Sequence, residues 1–269
     1  PPRPCLVVDR LSQPVRQTSN TIKNADFGFD VLPNGGGADD ETAEIYKGYM
    51  RRVHNNARGE SPVEWAADGA IEAGLGWFRL RTEYVHENWD GDPNDPAVFD
   101  HELREERITN SLSVYCDPST LHPTRRTAQF MFVIEDLDKD DFKRRWPKAD
   151  VRGLEEFMST GDMPGWLDTD TIRIAEYWHV DYESRTFCLL TDGTVVEKTK
   201  DSPKYPKEQI EQERTMRVPL VKCDKITAVE VLESFDWVGT RIPIFPILGE
   251  ELNVDGKPVL RGIIQPGMD

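Results

Sequence analysis

The chain has 269 residues, 38% of them hydrophobic and 30% charged, with seven Trp and eleven Phe. That length suffices for one large domain or two ordinary ones, and the aromatic content excludes a chain that is disordered throughout. The 49 acidic residues against 33 basic ones leave a net charge of -16, which excludes tight wrapping of nucleic acid, since wrapping needs Lys and Arg to displace phosphate counterions. A wall that nucleic acid must slide past would instead benefit from such repulsion.

Cys5, Cys116, Cys188 and Cys223 lie far apart with no Cys-x-x-Cys pair. They read as reduced thiols of a reducing compartment. No apolar run approaches the roughly 20 residues of a membrane helix. The chain opens Pro1-Pro2-Arg3-Pro4 and closes Gln265-Pro266-Gly267-Met268-Asp269. Both ends read as cuts from a larger protein.

In chain order, Leu6 to Asn20 is expected to form a short helix, kinked or ended by Pro14. Phe27 to Leu32 alternates like a strand, and Pro33 to Gly37 reads as a loop. A second helix is expected from Asp40 to Asn55, with Ile45, Tyr49 and Val53 recurring every four residues. Acids in its first turn and Arg51, Arg52 and His54 near its last complement the helix dipole. Ser61-Pro62-Val63-Glu64 has the form of a capping box with Pro at the first helical position. That third helix should stop at Gly74.

From Gly76 the period becomes two. Trp77 to His86 and Glu102 to Ile108 read as strands of a long hairpin, joined through the acidic loop Asn88 to Pro96. Short strands are expected at Leu112 to Cys116 and Gln129 to Ile134, and an amphipathic helix at Asp138 to Trp146. Ile172 to Tyr182, Arg185 to Thr191 and Thr194 to Lys198 read as an antiparallel meander, with a turn at Asp192-Gly193. Asp201 to Arg214 is polar enough for a loop or an exposed helix. Arg217 to Cys223 and Ile226 to Glu233 are further strands. Ile242 to Leu248 should be extended, but Pro243 and Pro246 bar it from a central position. Val254-Asp255-Gly256-Lys257 is a hairpin turn. Helices early and strands late predict an α+β fold with mostly antiparallel sheet. The expected division is 1–120, the N-terminal helices and first hairpin, and 121–269, a second β-rich part.

No catalytic constellation emerges. Gly35-Gly36-Gly37 lacks the Lys-Ser/Thr of a phosphate loop and runs into Asp39 and Asp40, which would repel phosphate. Asp90, Asp92 and Asp95 open like a calcium loop, but Asp95 stands where Gly is needed and His101 where Glu is needed. A solvated hairpin tip is the better reading; clustered carboxylates over 90–101, as in a metal-dependent hydrolase or nuclease, are the alternative. The five histidines never pair at zinc-binding spacing. His179 and Asp181 share one strand face. Trp77, Phe78, Tyr84 and Trp89 could stack bases only within a basic groove, so core packing is expected. No cofactor is implied.

The segment Trp65-Ala66-Ala67-Asp68-Gly69-Ala70-Ile71-Glu72-Ala73-Gly74-Leu75-Gly76-Trp77-Phe78-Arg79 through Glu83-Tyr84 resembles the portal proteins of short-tailed double-stranded DNA phages, where a helix runs into Gly-x-Gly-aromatic and a strand ending near Glu-Tyr. Further matching stretches follow in order. They include Arg107 to Asn110, Val114 to Cys116 with Asp117-Pro118, Phe142 to Pro147, Ile174-Ala175-Glu176-Tyr177-Trp178, Ile242 to Glu251 with its Pro243, Pro246 and Gly249, Asp255-Gly256-Lys257 and Arg261-Gly262. The acidic loop departs from the family. The resemblance implies a non-enzymatic subunit of a head-to-tail connector ring of about twelve copies, here mainly its peripheral wing. It implies self-association and contacts with the packaging ATPase (the terminase large subunit), capsid and scaffolding proteins and tail adaptors. Double-stranded DNA would pass through without sequence-specific binding. It implies a virion location, host cytoplasm during assembly, and no membrane.

Overall fold

The structure, a computed structural model, describes residues 9–25, 28, 30–34, 39–59, 61–85, 92, 95–120, 122–151, 153–154, 166, 170–199, 206 and 209–267. Its helices are α1 (Ser12–Lys23), α2 (Asp40–Asn56), α3 (Pro62–Ala73) and α4 (Lys139–Arg145). Its strands are β1 (Leu75–Tyr84), β2 (His101–Arg107), β3 (Val114–Cys116), β4 (Phe130–Asp138), β5 (Thr171–Leu190), β6 (Val195–Glu197), β7 (Ile210–Ile226), β8 (Val231–Trp237), β9 (Ile244–Leu248), β10 (Glu250–Val254) and β11 (Lys257–Arg261). All pairings are antiparallel, so the expected α+β class holds. Two compact units divide the chain: residues 1–112, 123–125 and 243–269 form one, and 113–122 and 126–242 the other.

The first unit sets α3 on a sheet of order β2-β1-β9, with the β10–β11 hairpin following. Proline confines β9 to the sheet edge, as its sequence requires. The β10–β11 turn places Asp255 and Gly256 both at positive φ, the two-residue geometry that matches strand twist.

The helix α3 approaches its neighbours at backbone contact. A Cβ at Gly76 would fall 1.7 Å from the Ala66 carbonyl oxygen, and one at Gly262 would fall 2.3 Å from that of Glu72. Gly74 ends α3 in the left-handed region, φ 88°. Its carbonyl accepts from the Gly249 N–H at 2.9 Å, and the Ile71 carbonyl accepts from the Ile263 N–H at 2.6 Å. Alanines line the buried side of α3 for the same reason: Ala66, Ala67 and Ala70 are buried with Ile71.

In the second unit the strand order is β3-β4-β5-β7-β8, with β6 pairing the far part of β5. One sheet face is closed. Leu137, Phe142, Leu154, Ile172 and Ile174 form a core over which Trp146 and Val151 pack. Met131, Trp178, Val221 and Cys223 are also buried, and Trp178 meets Phe235 and Trp237 edge-on. The turn between β3 and β4 is built on Asp117, a buried carboxylate. It accepts from the Ser119 N–H at 2.8 Å, the Ser119 hydroxyl at 2.6 Å and the Gln129 N–H at 3.0 Å. The Ser119 hydroxyl and the Gln129 N–H hold its pKa below the ordinary aspartate value.

Several expectations are corrected. Helix α1 starts at Ser12, so Pro14 sits in the first turn, where no intrahelical N–H bond is lost, and does not kink it. Residues 28 and 30–32 carry no strand. Residues 27 and 29, like 35–37, lie outside the described set. Ser61 is no capping-box residue: it adopts the left-handed region and makes no side-chain cap bond. A real cap appears at α2, where Asp39 accepts from the Thr42 N–H at 2.5 Å.

The meander loses its first turn. Residues 172–182 and 185–190 belong to the single 20-residue β5, because Glu183 and Ser184 pair with Val218 and Arg217 instead of turning. Residues 210–214, all but Ile210 polar, join β7 as the partners of that extension and form neither loop nor helix, while residues 201–205 and 207–208 lie outside the described set. Ile226 ends β7 and β8 begins at Val231, with Thr227 to Glu230 turning between them.

Three outcomes follow for stability. Gly76→Ala is expected to destabilise by about 3 kcal/mol or more, since backbone must move to admit the methyl group. Gly48→Ala, on an open part of α2 with nothing within 4 Å, should stabilise by about 0.5–1 kcal/mol. Urea denaturation of the two variants reads both. Asp117→Asn should cost about 1–3 kcal/mol at neutral pH. Because the native pKa of Asp117 is lowered, its contribution is present above the unfolded value of about 3.9 and is lost as pH falls through the native value. The variant should therefore lose less stability than the parent between pH 7 and pH 3.

Candidate functional site

The sequence-level candidates separate into packing positions and surface positions. Gly74, Gly76 and Gly249 belong to the seam around α3. Trp77, 2% exposed, fills the core of the same unit, opposite Pro246 on β9. Pro243 is also fully buried, and its carbonyl accepts from the Leu80 N–H at 2.9 Å. Phe78 stacks on Phe245 at 5.5 Å. The expected core packing holds for Trp77, while Phe78 is half-buried and Tyr84, at the far end of the strand, is 52% exposed; Trp89 lies outside the described residues.

Glu83 and Tyr84 close the hairpin. Glu83 stands directly across from Glu102, a like-charge pair. Arg104 relieves it, lying 3.3 Å from Glu83 and 2.6 Å from Glu102. Tyr84 packs against His101 at 4.1 Å. Further along the hairpin, burial opposes ionisation of Glu106, but Arg79 at 2.5 Å and Arg81 at 3.2 Å outweigh it and hold its pKa below the usual value.

Of the acidic-loop candidates, Asp90 lies outside the described residues. Asp95 caps the turn Pro96–Phe99, accepting from the Ala97 N–H at 2.9 Å. Asp92 accepts from the Asp95 N–H through its backbone carbonyl at 3.0 Å. Among the described residues no three His, Cys, Asp or Glu side chains converge on a point that could hold a metal ion. No described helix is long and apolar enough to cross a membrane.

In the second unit, Asp117 and Pro118 form the β3–β4 turn, with the Thr120 N–H donating to the Asp117 carbonyl at 3.3 Å. Trp178 is core, whereas Tyr177 and His179 point to the opposite, open face. His179 lies 3.8 Å from both Asp181 and Asp224. Glu176 lies on the Trp178 side, 3.5 Å from its indole N–H. No disulfide joins the described cysteines, Cys116, Cys188 and Cys223.

One surface feature was not foreseen. The four-residue spacing in α2 does not mark a buried face. Only Ala43 and Val53 are buried there, while Ile45 is 66% and Tyr46 59% exposed, with Tyr49 and Met50 beside them. The spacing was visible in sequence, but periodicity cannot say whether an apolar stripe meets its own unit or another surface.

The geometry therefore offers close-packed backbone, a bonded turn and exposed apolar surface. A portal protein of Acyrthosiphon pisum secondary endosymbiont phage 1 is 23% identical over 283 aligned residues, covering 99% of this chain but 38% of the relative. The chain thus spans well under half the length of that relative. The family description "Phage P22-like portal protein" matches residues 2–269, nearly every position, and the chain belongs to that family.

Proposed function

We propose that the chain is the wing of a longer portal subunit, one of about twelve that close into a ring at a single capsid vertex. The family match over residues 2–269 carries the reading. In that role the ring surrounds the path by which double-stranded DNA enters and later leaves the head. It serves in turn as a docking platform for the packaging ATPase, the terminase large subunit, and for tail adaptors. Capsid and scaffolding proteins meet it during assembly in the host cytoplasm.

Two physical features support the proposal. The net charge of -16 suits a wall that DNA must pass without sticking. The exposed stripe of Ile45, Tyr46, Tyr49 and Met50 suits a subunit whose apolar surface is covered on assembly. The family positions work as packing residues in this reading, and no cofactor is assigned. In a ring each subunit offers two different faces to its neighbours, so the contact is heterologous and closes by rotation.

The test is electron microscopy of the full-length protein at micromolar concentration. Closed ring particles are expected. A full-length protein that stays monomeric in solution and yields no rings would overturn the proposal. In a second measurement, double-stranded DNA should show no sequence-dependent retention by the rings.

A further inference from the structure

Helix α2 keeps an apolar surface that its own unit does not cover. Ile45, Tyr46, Tyr49 and Met50 follow one another at helical spacing, which sets them on one side of the helix, and they are between 42% and 66% exposed. Arg52 comes three residues after Tyr49 and seven after Ile45, so it borders the same side, and it too is exposed. Tyrosine, methionine and arginine are side chains that protein interfaces favour over the rest of a surface. Gly48 lies beside Ile45 and Arg52 in mid-helix, and among the described residues nothing stands within 4 Å of the place a Cβ would take. Glycine weakens a helix in water, and what it offers in return is room for a second main chain to come close. Asp40, Glu41 and Glu44 on the same helix repel anionic lipid headgroups and phosphates, which leaves a protein as the partner.

A complementary surface lies elsewhere in the same unit. Between α3 and residues 109–112 is a crevice of about 530 Å³, walled by Trp65, Glu72, Leu75, Leu112 and Leu260. Leu112 is 80% exposed and Trp65 39%. Glu72 is exposed at the margin and, like Arg52, makes no ion pair among the described residues. The stripe is thus apolar with a cation at its border, and the crevice is apolar with an anion at its border. Two stripes facing each other would join two copies and stop there. Stripe against crevice repeats from copy to copy and closes by rotation.

We propose that α2 of one copy packs into the crevice beside α3 of the next. Ile45 and Tyr49 enter beside Leu112 and Leu260, Gly48 lets the two main chains approach, and Arg52 meets Glu72. The inference rests on the ring reading above and names the two faces that the ring joins.

Cross-linking of the full-length protein tests it. Subunits carrying Tyr49→Cys are co-expressed with subunits carrying Leu112→Cys and then oxidised. Cross-linked dimers are expected from the pair, and from either variant alone none above the background of the parent. Arg52→Glu sets two acids against each other and should raise the protein concentration at half-assembly by roughly tenfold, whereas adding Glu72→Arg should return it to within about twofold of the parent. Gly48→Ala should weaken assembly although urea denaturation reads the subunit itself as more stable. Rings that form without the cross-link, or without rescue by Glu72→Arg, would overturn this pairing and leave the ring reading standing. A cross-link from Tyr49→Cys subunits alone would overturn it as well, since the stripes would then face each other. The cross-link without closed rings would uphold the contact while the ring reading fails, and the absence of both would overturn both.

Discussion

The first unit depends on how closely one helix can approach a sheet. Helix α3 lies against the start of β1, the end of β9 and the end of β11 with main chain touching main chain. At that distance no side chain fits between, so glycine is required at Gly76 and Gly262 by volume alone. The approach also brings carbonyls of the last helical turns within reach of N–H groups from other segments, at Gly249 and Ile263. Carbonyls that a helix end leaves open are thereby satisfied by tertiary contacts rather than by water. Packing and hydrogen bonding coincide there, so a single added methyl group strains both.

The residues of that seam, with Trp77, Pro243 and Asp117, serve packing and turn geometry. Gly74, Gly76, Gly249 and Gly262 permit close approach, Trp77 and Pro243 fill volume, and Asp117 organises a turn. Such residues define a shape, and shape is what a structural protein contributes. As a portal protein the chain is a structural component of a phage virion. The match to a much longer relative places these residues within a fraction of its length.

The second unit is organised by a difference between two sheet faces. One is sealed by α4 and the residues after it, and its interior is conventional. The other keeps Phe130, Phe132, Tyr177 and His179 half-buried, with the ion pairs Arg173–Asp136 and Lys222–Asp181 on the same face. Alternation along β4 and β5 places Phe130, Phe132, Tyr177 and His179 outward by the same rule that sends Met131, Val133 and Trp178 inward. Beyond Val180 the long strands β5 and β7 continue together; Asp181 to Ser184 and Glu211 to Arg217 are exposed, while Cys188 and Leu190 are buried again near the end of β5.

Local sequence rules determined much of this. The Gly74 stop of α3, the β1–β2 hairpin, the Asp192-Gly193 and Asp255-Gly256 turns and the edge position of β9 follow from residues a few positions apart. They were legible because backbone preference at Gly, Pro and alternating strands acts locally. What only the tertiary structure decided depends on distant partners. Glu183 and Ser184 continue a strand because Val218 and Arg217 pair with them, and polar residues 210–214 join β7 because β5 reaches that far. The stripe on α2 faces outward because its own unit covers only Ala43 and Val53. The aromatic stack exists because register sets Phe132 beside Tyr177. Periodicity shows that a face exists, but which surface meets it is a property of three-dimensional packing.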